Sequence, residues 1–274
     1  MSVRDRDTPM RVMGILNATP DSFWARSRFD TVDRAVEAGL MMFDDGAWAV
    51  DVGGESTRPG AVPVSVDEEL GRVVPIVTEL AHCGVVSVDT RNREVAEEAV
   101  RAGARIINDV SGKLYDLAGR LGVGYVSMHA HTVPVLAEGH PKYGDVNAEV
   151  RAFVQGTAES AFAAGARPVW VDPGIGFGKS AADNFALLRG LPDLCSGPFP
   201  VVLGVSRKSF LGAVTGRGVD GRLAASLAVV GAAWTAGVDT VRVHDVPETL
   251  DTIAVLEALA GTARRASTAP LCDQ

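Results

Sequence analysis

Hydrophobic positions along the chain fall into two alternating patterns. Short, almost continuous apolar runs lie at residues 10–17, 48–54, 85–90, 105–110, 124–129, 169–172, 200–206 and 240–245. Runs of this length, bounded by Gly, Pro, Asn or Asp, predict strands buried on both faces. Between them apolar residues recur at helical spacing. Val32, Ala35, Val36, Gly39, Leu40 and Phe43 form a stripe that predicts an amphipathic helix. Ser65-Val66-Asp67-Glu68 has capping-box spacing and opens the next one. Further helices are expected over 92–102, 146–164, 223–236 and 246–260. Residues 130–143 carry two prolines and a glycine and read as a long loop. A Gly-rich loop is expected between Ser209 and the helix at 223. Eight strands alternating with helices over roughly 250 residues predict an α/β fold, a single (β/α)8 TIM barrel. A doubly wound open sheet is the competing architecture. The barrel is expected to span residues 10–261, after a flexible N-terminus (1–9) and before a disordered tail (262–274).

The most informative stretch is Val169-Trp170-Val171-Asp172-Pro173-Gly174-Ile175-Gly176-Phe177-Gly178-Lys179. A buried strand ends in a carboxylate, and the backbone then bends through a Pro and three glycines, as it must when it closes around something. It is not a nucleotide-triphosphate P-loop. That pattern needs Gly at 173, where Pro instead removes a backbone N–H from the would-be cradle.

Composition narrows the function classes. Lys+Arg 26 against Asp+Glu 34 leaves a net charge of −8, which disfavours non-specific nucleic-acid binding but leaves room for a local anion pocket. Cys83, Cys195 and Cys272 are scattered and form neither a disulfide framework nor a zinc motif. No apolar run approaches the ~20 residues of a membrane span, and the charged first nine residues lack a signal-peptide core. A cytoplasmic enzyme acting on small molecules, with no nucleic acid and no membrane partner, is expected.

In a barrel the C-terminal strand ends share one mouth. Here they supply Asn17, Asp51, Asp89, Asn108, His129, Asp172, Lys208, Arg242 and His244. Taken singly, each has an ordinary reading as a turn former, a helix cap or a surface ion pair. As a converging set they divide by chemistry. Asp89, Asn108 and Asp172 suit a flat polar heterocycle with adjacent donors and acceptors. Arg58, Arg207, Lys208, Arg242 and His244 place positive charge for an anion, most simply a phosphate. Asn17 has the hard oxygen that suits Mg2+, a cation that often binds through few protein ligands plus phosphates. His129-Ala130-His131 has the spacing of a zinc pair, but it falls on the fifth strand without further ligands.

Seven ordered motifs between residues 10 and 260 resemble the dihydropteroate synthase family. They are Met13-Gly14-Ile15-Leu16-Asn17-Ala18-Thr19-Pro20-Asp21-Ser22-Phe23, Asp51-Val52-Gly53-Gly54-Glu55-Ser56-Thr57-Arg58-Pro59-Gly60-Ala61, Ser87-Val88-Asp89-Thr90, Ile107-Asn108-Asp109-Val110-Ser111-Gly112, the Asp172–Lys179 loop, Ser206-Arg207-Lys208-Ser209-Phe210 and Arg242-Val243-His244-Asp245-Val246. The resemblance implies a TIM barrel that condenses 6-hydroxymethyl-7,8-dihydropterin diphosphate with 4-aminobenzoate in folate synthesis, releasing diphosphate. It implies that Asp89, Asp172, Lys208 and Arg58 are catalytic. Asp89, Asn108, Asp172, Gly204 and Lys208 would hold the pterin, and Asn17, Arg242 and His244 the diphosphate, with Asn17 bound to Mg2+. Phe23, Thr57, Arg58, Pro59, Phe177 and Ser209 would surround aminobenzoate. A homodimer and a sulfonamide target are implied as well. The apolar positions Leu223, Leu227, Val230, Ala233 and Trp234 suit either a dimer interface or packing on the barrel.

Two departures from the family pattern lie near the mouth. Trp24-Ala25-Arg26-Ser27 stands where the family usually has Ser-Asp-Gly-Gly, and His129-Ala130-His131-Thr132 where it often has His-x-Arg-Gly. They keep a second reading open: a pterin-binding paralogue with weak, sulfonamide-tolerant or changed-acceptor activity, or a non-catalytic pterin-binding protein. The pterin module of a corrinoid methyltransferase shares the barrel, but Arg207-Lys208 and the loop at 56–60 argue against it.

Overall fold

The computed structural model describes residues 9–18, 32–56, 63–131 and 142–262. Phe23, Ala25, Thr57, Arg58, Pro59, most of the loop expected at 130–143 and nearly all of both expected terminal segments lie outside the described residues. Eight parallel strands run in order: β1 (Arg11–Asn17), β2 (Ala49–Gly53), β3 (Val85–Asp89), β4 (Ile106–Asp109), β5 (Gly124–Met128), β6 (Val169–Asp172), β7 (Val202–Gly204) and β8 (Thr240–Val243). Their spatial order is β6-β5-β4-β3-β2-β1-β8-β7. The ring is nearly closed by a single parallel bridge, Val171 to Val201, and a hydrogen bond from the Val171 N–H to the Pro200 carbonyl (3.0 Å). This is the (β/α)8 barrel, not the doubly wound sheet.

The helices around it are α1 (Val32–Asp44), α2 (Val66–Leu80), α3 (Arg93–Arg101), α4 (Tyr115–Leu121), α5 (Val146–Ala164), α6 (Ala181–Arg189), α7 (Leu191–Cys195), α8 (Ser209–Thr215), α9 (Leu223–Ala236) and α10 (Val246–Leu259). Local chemistry starts several of them. The Ser65 hydroxyl accepts from the Glu68 N–H at the head of α2, Asp145 caps α5, and Ser180 with Asp183 forms a reciprocal capping box on α6.

The stretch expected to be a Gly-rich loop after Ser209 is instead largely α8 followed by a 3-10 turn at Val219–Arg222. Phe210 and Leu211 are buried, and that burial outweighs the poor helix propensity of the glycines around them. Strand β7 is shorter than the apolar run, and just beyond that run Arg207 adopts a left-handed φ of 54°.

Two apolar layers result. The outer one packs helices on the barrel. The inner one, made of Met13, Ala49, Ile106, Val126, Trp170 and Val202, fills the barrel interior, with Trp48 against Trp170 at 5.8 Å. This plug supports the polar mouth from below.

Candidate active site

Strand register builds one wall of the site. Asn17, Gly53, Asp89 and Asn108 are consecutive register partners on β1 to β4, so their side chains share the inner face of the sheet. Asp51 lies two residues before Gly53, on the same face and one step deeper, and is fully buried. Its Oδ2 accepts from Asn108 Nδ2 (2.8 Å) and Arg242 Nε (2.5 Å). Arg242 Nη2 donates to Asp89 Oδ2 at 2.7 Å. The guanidinium thus ties two carboxylates together, and Nη1 makes no hydrogen bond among the described residues. Burial pushes the Asp89 carboxyl up to about 7, with Arg242 opposing and Asp51 reinforcing the shift. Burial disfavours the Arg242 charge, but Asp51 and Asp89 more than compensate and raise its pKa.

The opposite wall comes from β6, β7 and the loops after them. Asp172 Oδ1 accepts from the Gly174 N–H at 2.7 Å, which leaves Oδ2 without a hydrogen bond among the described residues. Burial pushes the Asp172 carboxyl up, against the pull of Lys208. Lys208 Nζ donates to the Ile175 carbonyl and lies 4.7 Å from the centre of the Phe177 ring. Burial lowers Lys208 to about 8, with Asp172 opposing. A Cβ on Gly204 would stand 3.6 Å from Lys208 Nζ and 3.9 Å from Asp172 Oδ2, so this glycine keeps a slot open beside both. Asp89 Oδ1, Asn108 Oδ1 and Asp172 Oδ2 form no hydrogen bond among the described residues. Three acceptors with one ammonium beside them match a flat ring whose edge is rich in N–H donors and which carries a carbonyl.

The anion side is sparser. His244 is half-buried, and its Nδ1 lies 2.9 Å from Ser206 Oγ. Asn17 is half-buried, and a Cβ added to Gly53 would stand 3.8 Å from Asn17 Oδ1 and 3.5 Å from Asp89 Cβ. Ser209 is exposed at the first turn of α8, next to Lys208 in the chain. Arg207 departs from expectation. It is buried behind the mouth, bonded in parallel to Asp245 (2.9 and 2.7 Å) and to the Val219 and Asp220 carbonyls, so its charge is spent inside the fold and not on an anion.

The loop after β6 is held from beneath. Gly174, Gly176 and Gly178 take φ of 67°, 82° and 68°, which L side chains rarely adopt. Lys179 is buried and donates to the carbonyls of His129 (3.0 Å), Gly174 (2.8 Å) and Phe177 (3.4 Å). Burial lowers Lys179 to about 7, against Asp172. His129 belongs to this support: its ring is buried edge-on to Phe153 at 5.1 Å, and burial lowers its pKa to about 4. His131 packs its Cβ against Gly178. Among the described residues no group of three or more His, Cys, Asp or Glu could hold a metal ion.

Asp89, Asn108, Asp172, Gly204, Lys208, Arg242 and His244 lie at or just beyond the C-terminal ends of their strands. Asp51, expected at the mouth but with no role of its own, is the connecting carboxylate, and Lys179 is a strut whose role the sequence alone does not give. A signal existed for each: Asp51 interrupts an apolar strand two residues before Gly53, and Lys179 ends the Gly-rich turn.

Residues 13–244 match the family of the pterin binding enzymes. The dihydropteroate synthase of Mycobacterium leprae is 43% identical over 268 residues, covering 91% of this chain and 93% of its own. That of Escherichia coli K12 is 42% identical over 256 residues, 90% of each. Among solved structures, the Xanthomonas albilineans dihydropteroate synthase with 4-aminobenzoic acid is 44% identical with a TM-score of 0.84, covering 93% of this chain and 94% of that one. The Yersinia pestis dihydropteroate synthase with a sulfonamide drug is 37% identical with a TM-score of 0.88, covering 95% and 99%. With the barrel, the polar mouth and these likenesses in agreement, the chain belongs to the pterin binding enzymes, in the dihydropteroate synthase family.

Proposed function

We propose that this chain is a dihydropteroate synthase that transfers the pterin-methyl group of 6-hydroxymethyl-7,8-dihydropterin diphosphate to 4-aminobenzoate, giving 7,8-dihydropteroate and diphosphate in the cytoplasm. The observation that carries the reading is the acceptor-rich slot between Asp89–Asn108 and Asp172–Gly204–Lys208. Homologous enzymes have been crystallised with 4-aminobenzoate and with 7,8-dihydropteroate, which supports the same substrates here.

The pterin edge donates to Asp172 Oδ2, Asn108 Oδ1 and Asp89 Oδ1, and Lys208 donates to the ring carbonyl. Arg242 Nη1 and His244 face the diphosphate. Asn17 would hold Mg2+, which neutralises negative charge on the leaving group. As the C–O bond to diphosphate breaks, positive charge develops on the pterin methylene, and the buried carboxylates of Asp89 and Asp172 stabilise it. The arylamine then attacks and loses a proton. Phe177 and Ser209 stand on the acceptor side; the family resemblance adds Phe23, Thr57, Arg58 and Pro59, which lie outside the described residues. No covalent bond to the protein is needed.

The chain acts as a homodimer. Support comes from α9 and α10: Val230 and Ala233 pack on the barrel, whereas Val255 (59%) and Leu259 (80%) are left exposed and apolar. A monomer mass by sedimentation would remove this part of the reading.

The test is diphosphate release with Mg2+, with and without 4-aminobenzoate, while dihydropteroate is followed. Acceptor-dependent turnover that a chelator abolishes is expected. Tight pterin binding without turnover would overturn the synthase reading and leave a non-catalytic pterin-binding protein. A sulfonamide that fails to compete with aminobenzoate would remove the drug-target part alone.

A further inference from the structure

The described part of the mouth has one carboxylate that faces no substrate slot. Asp51 is fully buried: Oδ2 takes both Asn108 and Arg242, and Oδ1 has no hydrogen-bond partner among the described residues. Such an arrangement is costly, since a buried carboxylate oxygen loses its hydration without replacement. Neutralising Arg242 does not explain it, because Asp89 already pairs with that guanidinium.

What Asp51 alone does is read the Asn108 amide. A side-chain amide has a donor end and an acceptor end of nearly the same shape, and only its neighbours decide which way it points. Asn108 Nδ2 donates to Asp51 Oδ2 at 2.8 Å, so the amide NH2 faces Asp51 and its carbonyl faces the slot. We infer that Asp51 is a positioning residue that sets the hydrogen-bond polarity of the pterin slot by orienting Asn108, and so makes the site select rings whose edge donates. Without it Asn108 turns over, and a donor replaces the middle one of three acceptors. The slot then tolerates a ring that presents a carbonyl where a pterin presents its amino group.

The inference rests on the pterin reading of the slot. Its test compares two ligands by calorimetry: 6-hydroxymethylpterin and its 2-oxo analogue, in which the exocyclic amino donor becomes a carbonyl acceptor. Wild type is expected to prefer the amino ring by at least tenfold. Asp51→Asn is expected to cut that preference tenfold or more, by weakening the amino ring and sparing or improving the oxo ring. Transposing the groups, Asp51→Asn with Asn108→Asp, places an acceptor-only side chain at the slot again and is expected to restore the preference. If Asp51→Asn does not melt cooperatively, Asp51→Ala, which also removes the acceptor that orients Asn108, takes its place in the comparison. A merely structural Asp51 weakens both ligands alike and leaves their ratio unchanged, and that result, or a transposed variant without preference, overturns the inference. A wild-type chain that binds neither ring overturns the pterin reading and this inference with it. Wild-type preference with an unchanged ratio in Asp51→Asn overturns the inference alone.

Discussion

Gly204→Ala separates what the fold needs from what the ligand needs. The added methyl would meet only Lys208 Nζ at 3.6 Å and Asp172 Oδ2 at 3.9 Å, which are ordinary contact distances, and Gly204 is not among the glycines with a left-handed φ. The protein without ligand therefore has no clash to relieve. Loss of unfolded-state freedom favours the variant by about 0.4–1 kcal/mol where the native backbone accepts alanine. The bound state differs, because the methyl enters the slot between the two groups that grip the ring. Overpacking a fitted site costs roughly 1–3 kcal/mol, which is about a 5- to 150-fold loss of pterin affinity at 1.4 kcal/mol per factor of ten. Thermal melting should show an unchanged or slightly raised midpoint, while calorimetry with 6-hydroxymethylpterin shows the weakened Kd. Wild-type affinity in a folded Gly204→Ala protein would mean that the ring lies elsewhere, and the reading of the slot would be wrong.

Two further perturbations test other parts of the site. Asp89 ionises as pH rises through about 7, and Lys208 loses its ammonium as pH rises through about 8. Because pterin binding needs the carboxylate and the ammonium together, kcat/KM should rise to a narrow maximum between those values and fall on either side; a flat profile from pH 6 to pH 9 contradicts the assignment. Arg207→Met leaves the Asp245 carboxylate buried and unpaired, which costs about 3–5 kcal/mol. The melting midpoint should drop by about 6–20 °C, at roughly 2–4 °C per kcal/mol for a domain of this size, and a drop under about 2 °C would show the pair to be dispensable.

The sequence makes the barrel legible because the two signals that define it are local. Apolar runs such as Val169-Trp170-Val171 declare strands, and stripes such as Val32 to Phe43 declare helices. The mouth is legible for the same reason: once the strands are parallel, polar residues at their ends must converge. What stayed hidden depends on contacts between distant residues. Arg207 and Lys208 are neighbours of similar charge, yet the left-handed turn at Arg207 sends one back to Asp245, 38 positions away, and the other forward to the slot. The Asp51 role needs Asn108 and Arg242, at sequence separations of 57 and 191. Helix α8 was obscured by Gly212 and the glycines that follow it, since propensity is local and the burial of Phe210 is not.

The inner plug of Met13, Ala49, Ile106, Val126, Trp170 and Val202 has a kinetic consequence. A barrel sealed at one end is a vessel with a single opening, so every molecule that comes or goes queues at the same door. Asn108 and Asp172 are only 6% and 4% exposed, whereas Phe177 is half-buried and Ser209 exposed, so the pterin berth is the inner one. A molecule already seated in the outer berth stands in the way of the inner one. On the reaction proposed above, traffic would follow a fixed sequence, with the pterin first in and the arylamine second, and a joined product spanning both berths would clear the opening before the next pterin is admitted.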